Sequence, residues 1–268
     1  MRVNTCANCN YQFDQTTPYC PQCGQKSNTH RFTLPHLAHE VVHVATHADK
    51  GIFLLIKELL LRPGVVLHDY IVLQRRKKYF NPFTFLVLMA GLLLFTTNIF
   101  KPYITENMYN KEQTSKMERV MGKDKATVVV ERSANLNRFM EKNSKLILMA
   151  SVPITALVFW VFFRRRGHYF AEHLVAAVFL TAILGFIMAV IFTPLLGTFR
   201  NSFTYGIITF ITLVFQLLYF GWAYQVFLQK QAPLARWKPY AVSLLNILIW
   251  SLVSVVTGII YIYAGLFF

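Results

Sequence analysis

The chain has 268 residues, 55% of them hydrophobic and only 15% charged, and 27 Lys+Arg against 12 Asp+Glu give a formal net charge of +15. A soluble domain is about one-quarter charged, and the apolar runs here are longer than core strands or core helices need. These figures exclude a soluble enzyme, a secreted disulfide scaffold and a disordered tail, and leave an all-α polytopic membrane protein.

All four cysteines lie at the start, as Cys6-x2-Cys9 and Cys20-x2-Cys23. Two such tight turns can bring four thiolates to about 2.3 Å from one tetrahedral ion. Asn10 and Gly24 follow the second cysteine of each pair, where a residue that tolerates positive φ is favoured. Two disulfides are the competing reading and need an oxidising compartment, whereas the topology below puts this segment in the cytosol. Residues 1–27 are therefore expected to form a zinc ribbon with one structural zinc on Cys6, Cys9, Cys20 and Cys23. Four protein ligands close the shell against catalysis, and a segment whose large apolar groups are Tyr11, Phe13 and Tyr19 cannot fold without its metal.

Residues 28–80 read as juxtamembrane amphipathic helices. The first is expected over 33–50, with Thr33 as cap and Pro35 in the first turn. The run 52–61 is too short to span and is expected to lie in the interface. Arg62-Pro63-Gly64 breaks it, and a second amphipathic piece follows over 65–73. Arg75, Arg76, Lys77 and Lys78 then meet the first span, where each can gain about 1 kcal/mol from anionic lipid headgroups. That position favours lipid over nucleic acid as the partner of the cluster. Tyr79 and Phe80 are expected at headgroup level, as belt aromatics.

Residues 81–268 read as a five-helix transmembrane domain with spans at 81–100, 146–163, 172–194, 205–227 and 240–266. At 1.5 Å per residue each can cross a hydrocarbon core of about 30 Å. Pro194 is expected to end the third span. The short loops between the later spans carry 3, 1 and 3 basic residues, which places Arg164–Arg166 and Lys230, Arg236 and Lys238 inside. The N-terminus is then cytoplasmic and the C-terminus outside. The long outer loop, 101–145, suits either a helical hairpin or partial disorder.

Four histidines, His36, His39, His43 and His47, form one stripe on the expected 33–50 helix, and His39-Glu40-Val41-Val42-His43 matches H-E-x-x-H. A second group, His168, Glu172 and His173, begins the third span, and Glu172 is the sole acid after Glu141. The two groups share the inner side, so His43 or His47 is expected to approach Glu172 or His173. A second metal there is one reading; interfacial histidines, with Glu172 paired to Arg164–Arg166, are the other. Polar residues of the spans, among them Gln216, Ser243 and Asn246, look scattered. Ala177, Thr181, Gly185 and Ala189 recur every four residues on one face of the third span, as close helix packing requires.

The segments Tyr19-Cys20-Pro21-Gln22-Cys23-Gly24-Gln25, His47-x-Asp49-Lys50-Gly51, Arg62-Pro63-Gly64, Tyr70, the basic run to Tyr79 and Pro82, and Glu172-His173 resemble an uncharacterised bacterial family common in Bacteroidetes. That family, a domain of unknown function, joins a zinc ribbon to a multi-span membrane region. Leu73-Gln74-Arg75-Arg76 stands where the family usually has Gly-Lys-Arg. The layout is also loosely similar to bacterial Yip1-type proteins, by architecture alone. The resemblance implies a bacterial inner-membrane protein and says nothing of its activity. With no complete catalytic set, the expected function is non-enzymatic: the ribbon and interfacial helices dock a protein partner, as a scaffold or accessory subunit of a membrane complex. The alternative is a metal-dependent membrane enzyme acting on a lipid or peptide, with His39, Glu40, His43, Glu172 and His173 lining the site.

Overall fold

The structure is a computed structural model that describes residues 3–14, 17–27, 51–103, 111–200, 202–229 and 235–264. The expected 33–50 helix and its histidine stripe, His36, His39, His43 and His47 with Glu40, lie outside the described residues.

Strands β1 (Val3–Thr5) and β2 (Gln12–Asp14) pair antiparallel around the first cysteine turn, with Asn4 opposite Phe13. Phe13, Cys6 and Cys20 are its buried core, packed on by Cys9 and Cys23. This cysteine module sits at one end of a bundle of helices, here called the module end.

Two short helices follow, α1 (Ile52–Leu61) and α2 (Pro63–Leu67), the latter continued by a π-helical turn over His68–Val72. Pro63 opens α2 in its first turn, where its missing N–H costs nothing. Rather than resting only on the bundle's outside, this hairpin buries Leu55, Leu59, Val66 and Leu67 in the main core, while Phe53 and Leu61 stay exposed. Gly64 explains how it fits. A Cβ there would clash with the Ala223 carbonyl and come within 2.6 Å of the Val226 Cβ, so only glycine lets the two backbones approach.

The remaining elements are long helices and their connections. A 3₁₀ turn (Arg76–Lys78) leads into α3 (Pro82–Phe100), capped by the Asn81 side chain, which accepts from the Phe83 and Thr84 N–H groups. Helices α4 (Lys111–Met121) and α5 (Lys123–Lys142) form a helical hairpin that turns at Gly122, φ 86°. Then come α6 (Ser144–Phe163), α7 (Phe170–Ile187), a π-helical turn (Met188–Phe192), α8 (Thr193–Thr198), α9 (Phe203–Gln229) and α10 (Trp237–Ala264).

Among the described residues, five stretches are long and apolar enough to cross a membrane: Arg76–Phe100, Ser144–Arg166, Phe170–Thr198, Phe203–Gln229 and Trp237–Ala264. They contain most of each expected span, with different limits. Pro194 does not end the third. The wide turn before it shifts the hydrogen-bond register, with the Thr193 N–H reaching the Met188 carbonyl, and Pro194 falls in the first turn of α8.

Helix α7 is the centre of the bundle. Of its most apolar stretch 72% is buried, against none for α10. Part of its small-residue face packs closely: Ala177 is fully buried, and a Cβ on Gly185 would meet Leu148 at 2.9 Å, while Ala189, also fully buried, falls in the π-helical turn. Tyr79 and Phe80, expected at headgroup level, are instead buried in the protein core. At the opposite, far end, Gly197 lies against Phe100, Arg200 donates to the Lys101 carbonyl, and Arg132 donates to the Tyr261 carbonyl at 2.7 Å.

Candidate functional site

The two cysteine turns are near copies of each other. In the first, the Cys6 N–H bonds the Tyr11 carbonyl and the Asn10 N–H bonds Cys6; in the second, Cys20 bonds Gln25 and Gly24 bonds Cys20. Asn10 (φ 61°) and Gly24 (φ 69°) take the left-handed conformation that the spacing predicts. The four sulfurs lie within 4.8 Å of one another, with Cys6–Cys23 at 3.5 Å and Cys9–Cys20 at 3.6 Å. Bonds of about 2.3 Å to a tetrahedral ion would set the sulfurs about 3.8 Å apart, so this cage fits one metal ion with little adjustment. The thiols share protons with one another. Burial pushes the Cys23 thiol up, but the Gln25 N–H, the Asn8 side chain and the Cys6 and Cys9 thiols outweigh it and lower it to about 7. Cys9, despite its backbone bond at Tyr11, is pushed up to about 12 by burial and the other three thiols.

The module is held against the bundle through the residue that follows the second turn. Gln25 is buried, and its side-chain amide uses both ends: Nε2 donates to the Gln74 carbonyl at 2.6 Å, and Oε1 accepts from the Lys77 N–H at 3.2 Å. Arg75 adds a bond to the Ala7 carbonyl. Gln74, in the left-handed region at φ 56°, turns the chain there. The loop between the π turn and α3 is thus the seat of the cysteine module.

Asp69 organises the same loop from below. Its buried carboxylate accepts from Lys78 at 3.0 Å and from the Tyr79 hydroxyl at 3.1 Å, with Arg75 at 3.9 Å. Burial pushes this carboxyl up, but Lys78, Tyr79 and Arg75 outweigh it and hold it below the usual carboxylate range. Arg75 and Lys78, expected on lipid headgroups, therefore also have protein partners. At the tip of the α1–α2 hairpin Arg62 makes a two-pronged pair with Glu58, both bonds 2.6 Å, which holds Glu58 below its usual value. The Tyr219 hydroxyl donates to the Leu59 carbonyl at 2.7 Å, satisfying a helix-end acceptor.

At the start of α7 the structure brings His168, Glu172 and His173 together. Glu172 accepts from the Tyr169 N–H at 3.1 Å and lies 2.8 Å from His168 Nδ1. The i, i+4 geometry at the helix start sets the His168 ring against the Glu172 carboxylate. His173 is fully buried beside Tyr224, with rings stacked at 5.9 Å, and its Nε2 has no hydrogen-bond partner among the described residues. Among the described residues, the four cysteines are the group arranged to hold a metal ion.

Sequence reasoning missed Gln25, Glu58, Asp69, Tyr219 and Tyr224. Signals existed for two. An isolated acid in an apolar run, as Glu58 and Asp69 are, has to find a partner once buried.

These parts define a class: a bundle with five helices long and apolar enough to span a membrane, bearing a four-cysteine module seated on the loop before the first of them. Residues 49–94 match the model of a family described as "Protein of unknown function (DUF3667)". That stretch includes the α1–α2 hairpin, Asp69, the Gln74–Lys78 seat and the first half of α3. No curated protein and no solved structure matches the chain.

Proposed function

We propose that the protein is a non-enzymatic component of a bacterial inner membrane, whose cysteine module is a cytoplasmic zinc ribbon that docks a protein partner. The observation that carries the reading is the Gln25 clamp. A module on a flexible tether needs no buried glutamine bonded at both ends to the bundle, whereas a platform that must present one face does. The metal is one structural zinc on Cys6, Cys9, Cys20 and Cys23, and the C-terminus lies outside. Arg75, Arg76, Lys77 and Lys78 meet anionic headgroups where their protein bonds allow. Tyr11 and Tyr19, 45% and 57% exposed on the module, are the contact residues offered to the partner.

The test is purification from native membranes in mild detergent, beside the Tyr11→Ala/Tyr19→Ala double variant. A protein retained by the native chain and lost by the variant is the expected result. A chain that runs alone in both cases contradicts the reading.

One observation keeps a second reading, a metal-dependent enzyme acting on a lipid or peptide: the buried His168–Glu172 pair beside His173, whose Nε2 has no hydrogen-bond partner among the described residues. Elemental analysis separates the two. A second metal that survives loss of the cysteines and disappears with His39→Ala/His43→Ala supports the enzyme; a single zinc, lost with the cysteines, removes it.

A further inference from the structure

The uncharged polar residues that look scattered along the sequence converge in space. A cavity of about 340 Å³ runs between α6, α7, α9 and α10, lined by Thr155, Thr181, Thr209, Thr212, Gln216 and Asn246. Its mouth is marked by Tyr103, Ser144 and Tyr205 at the far end. Thr181 stands eleven residues into α7, about 17 Å from its start, so the cavity reaches the middle of the bundle. The rest of the lining is apolar, with Leu93, Leu184 and Trp250 among it. None of the described lining residues carries a charge.

Two features distinguish this space from a packing gap. Asn246 is 3% exposed, and its Oδ1 has no hydrogen-bond partner among the described residues. Burying an amide oxygen without a partner costs about 1–3 kcal/mol, so a fold that keeps one there has a use for it or fills it with a guest. Thr209 and Thr212 spend their own protons on the Tyr205 and Ile208 carbonyls of α9, which leaves their oxygens as acceptors. The floor is a set of neutral donors and acceptors from four helices, under apolar walls, in the size range of small-molecule sites.

We propose that this cavity is a binding site for an uncharged lipid with a hydroxyl or carbonyl head, the head seated at Thr181, Gln216 and Asn246 and the chain running toward the far-end mouth. The neutral floor selects the class. A phosphate head would be buried with no cation among the described lining residues to repay its desolvation, whereas a hydroxyl can both donate to and accept from Gln216 and Asn246.

The experiment uses the full chain in lipid nanodiscs and a diazirine analogue of farnesol, with the corresponding farnesyl monophosphate analogue as the charged probe. Saturable labelling of α9 and α10 peptides by the alcohol, displaced by unlabelled farnesol, is expected, with the phosphate at least about tenfold weaker. Asn246→Leu should weaken labelling by roughly three- to tenfold, the worth of one hydrogen bond. Thr212→Phe, which fills the cavity and leaves Asn246 in place, should abolish it without lowering the melting temperature. Labelling that never saturates, that is equal for the two probes, or that is unchanged in both variants means that bulk acyl chains or water occupy the space, and overturns the proposal.

Discussion

At the module end, the acids set into the bundle each face a cation or a proton donor: Glu58 faces Arg62, Asp69 faces Lys78, Arg75 and Tyr79, and Glu172 faces His168. Toward the far end, the cavity's described polar side chains are all neutral, and two of them, Ser144 and Asn246, are buried with an oxygen that has no hydrogen-bond partner among the described residues. The contrast separates two uses of polar groups in an apolar bundle. Paired charges hold elements in place, so their loss is felt as stability. Neutral groups left open do little for the fold and are available to a guest.

The largest effect that would break this comparison is loss of the metal cage. Cys20→Ser/Cys23→Ser should abolish metal binding and unfold the module, since binding of about 10–16 kcal/mol is the folding energy of such small units. Elemental analysis should fall to no metal per chain, and protease should cut within residues 1–27. The five long helices should keep their circular dichroism, because the main core contains no module residue.

Next in size is Gly64→Ala. The added methyl meets the Ala223 backbone and the Phe227 N at 2.9 Å, neither of which can swing away as a side chain could. Overpacking of this kind costs about 1–3 kcal/mol. A fall in thermal stability with helix content intact is expected. An unchanged melting temperature would mean that the hairpin does not pack on α9 as described.

Asp69→Asn should cost less, about 1–2 kcal/mol, because Lys78 keeps partial access to water. The same carboxylates set the pH response. Glu58 and Asp69 are held below their unfolded values, so their contribution is complete above about pH 4.5 and is lost as pH falls through the lowered folded values. Melting temperatures of the native chain should therefore stay level from neutral pH to about 5 and drop below 4, and Asp69→Asn should flatten that drop.

How much of this was open to sequence reasoning depends on the range of the interaction. The cysteine turns were legible, down to positive φ at Asn10 and Gly24, because ligand spacing and left-handed residues are local signals. The five long helices were legible from apolar run length. The α1–α2 hairpin was read as interfacial because run length alone cannot tell lipid from protein as the apolar partner, and Gly64 acquires its meaning only against Ala223, far along the chain. The same holds for the Gln25 clamp, whose partners Gln74 and Lys77 are about fifty residues away. Gln216 and Asn246 looked scattered because they lie on different helices and converge only in the bundle.

The claim that the cysteine module is seated on the bundle, and not merely tethered to it, is tested most directly by hydrogen exchange of the full chain before and after metal chelation. The Lys77 N–H is bonded to Gln25 in the seated state. Chelation should therefore speed exchange in the peptide spanning residues 73–79, by about the tenfold that one lost hydrogen bond allows, while α7 stays protected. Gln25→Ala should produce the same change with the metal still bound. Exchange at 73–79 that is fast in the native chain, or indifferent to both treatments, would contradict the account.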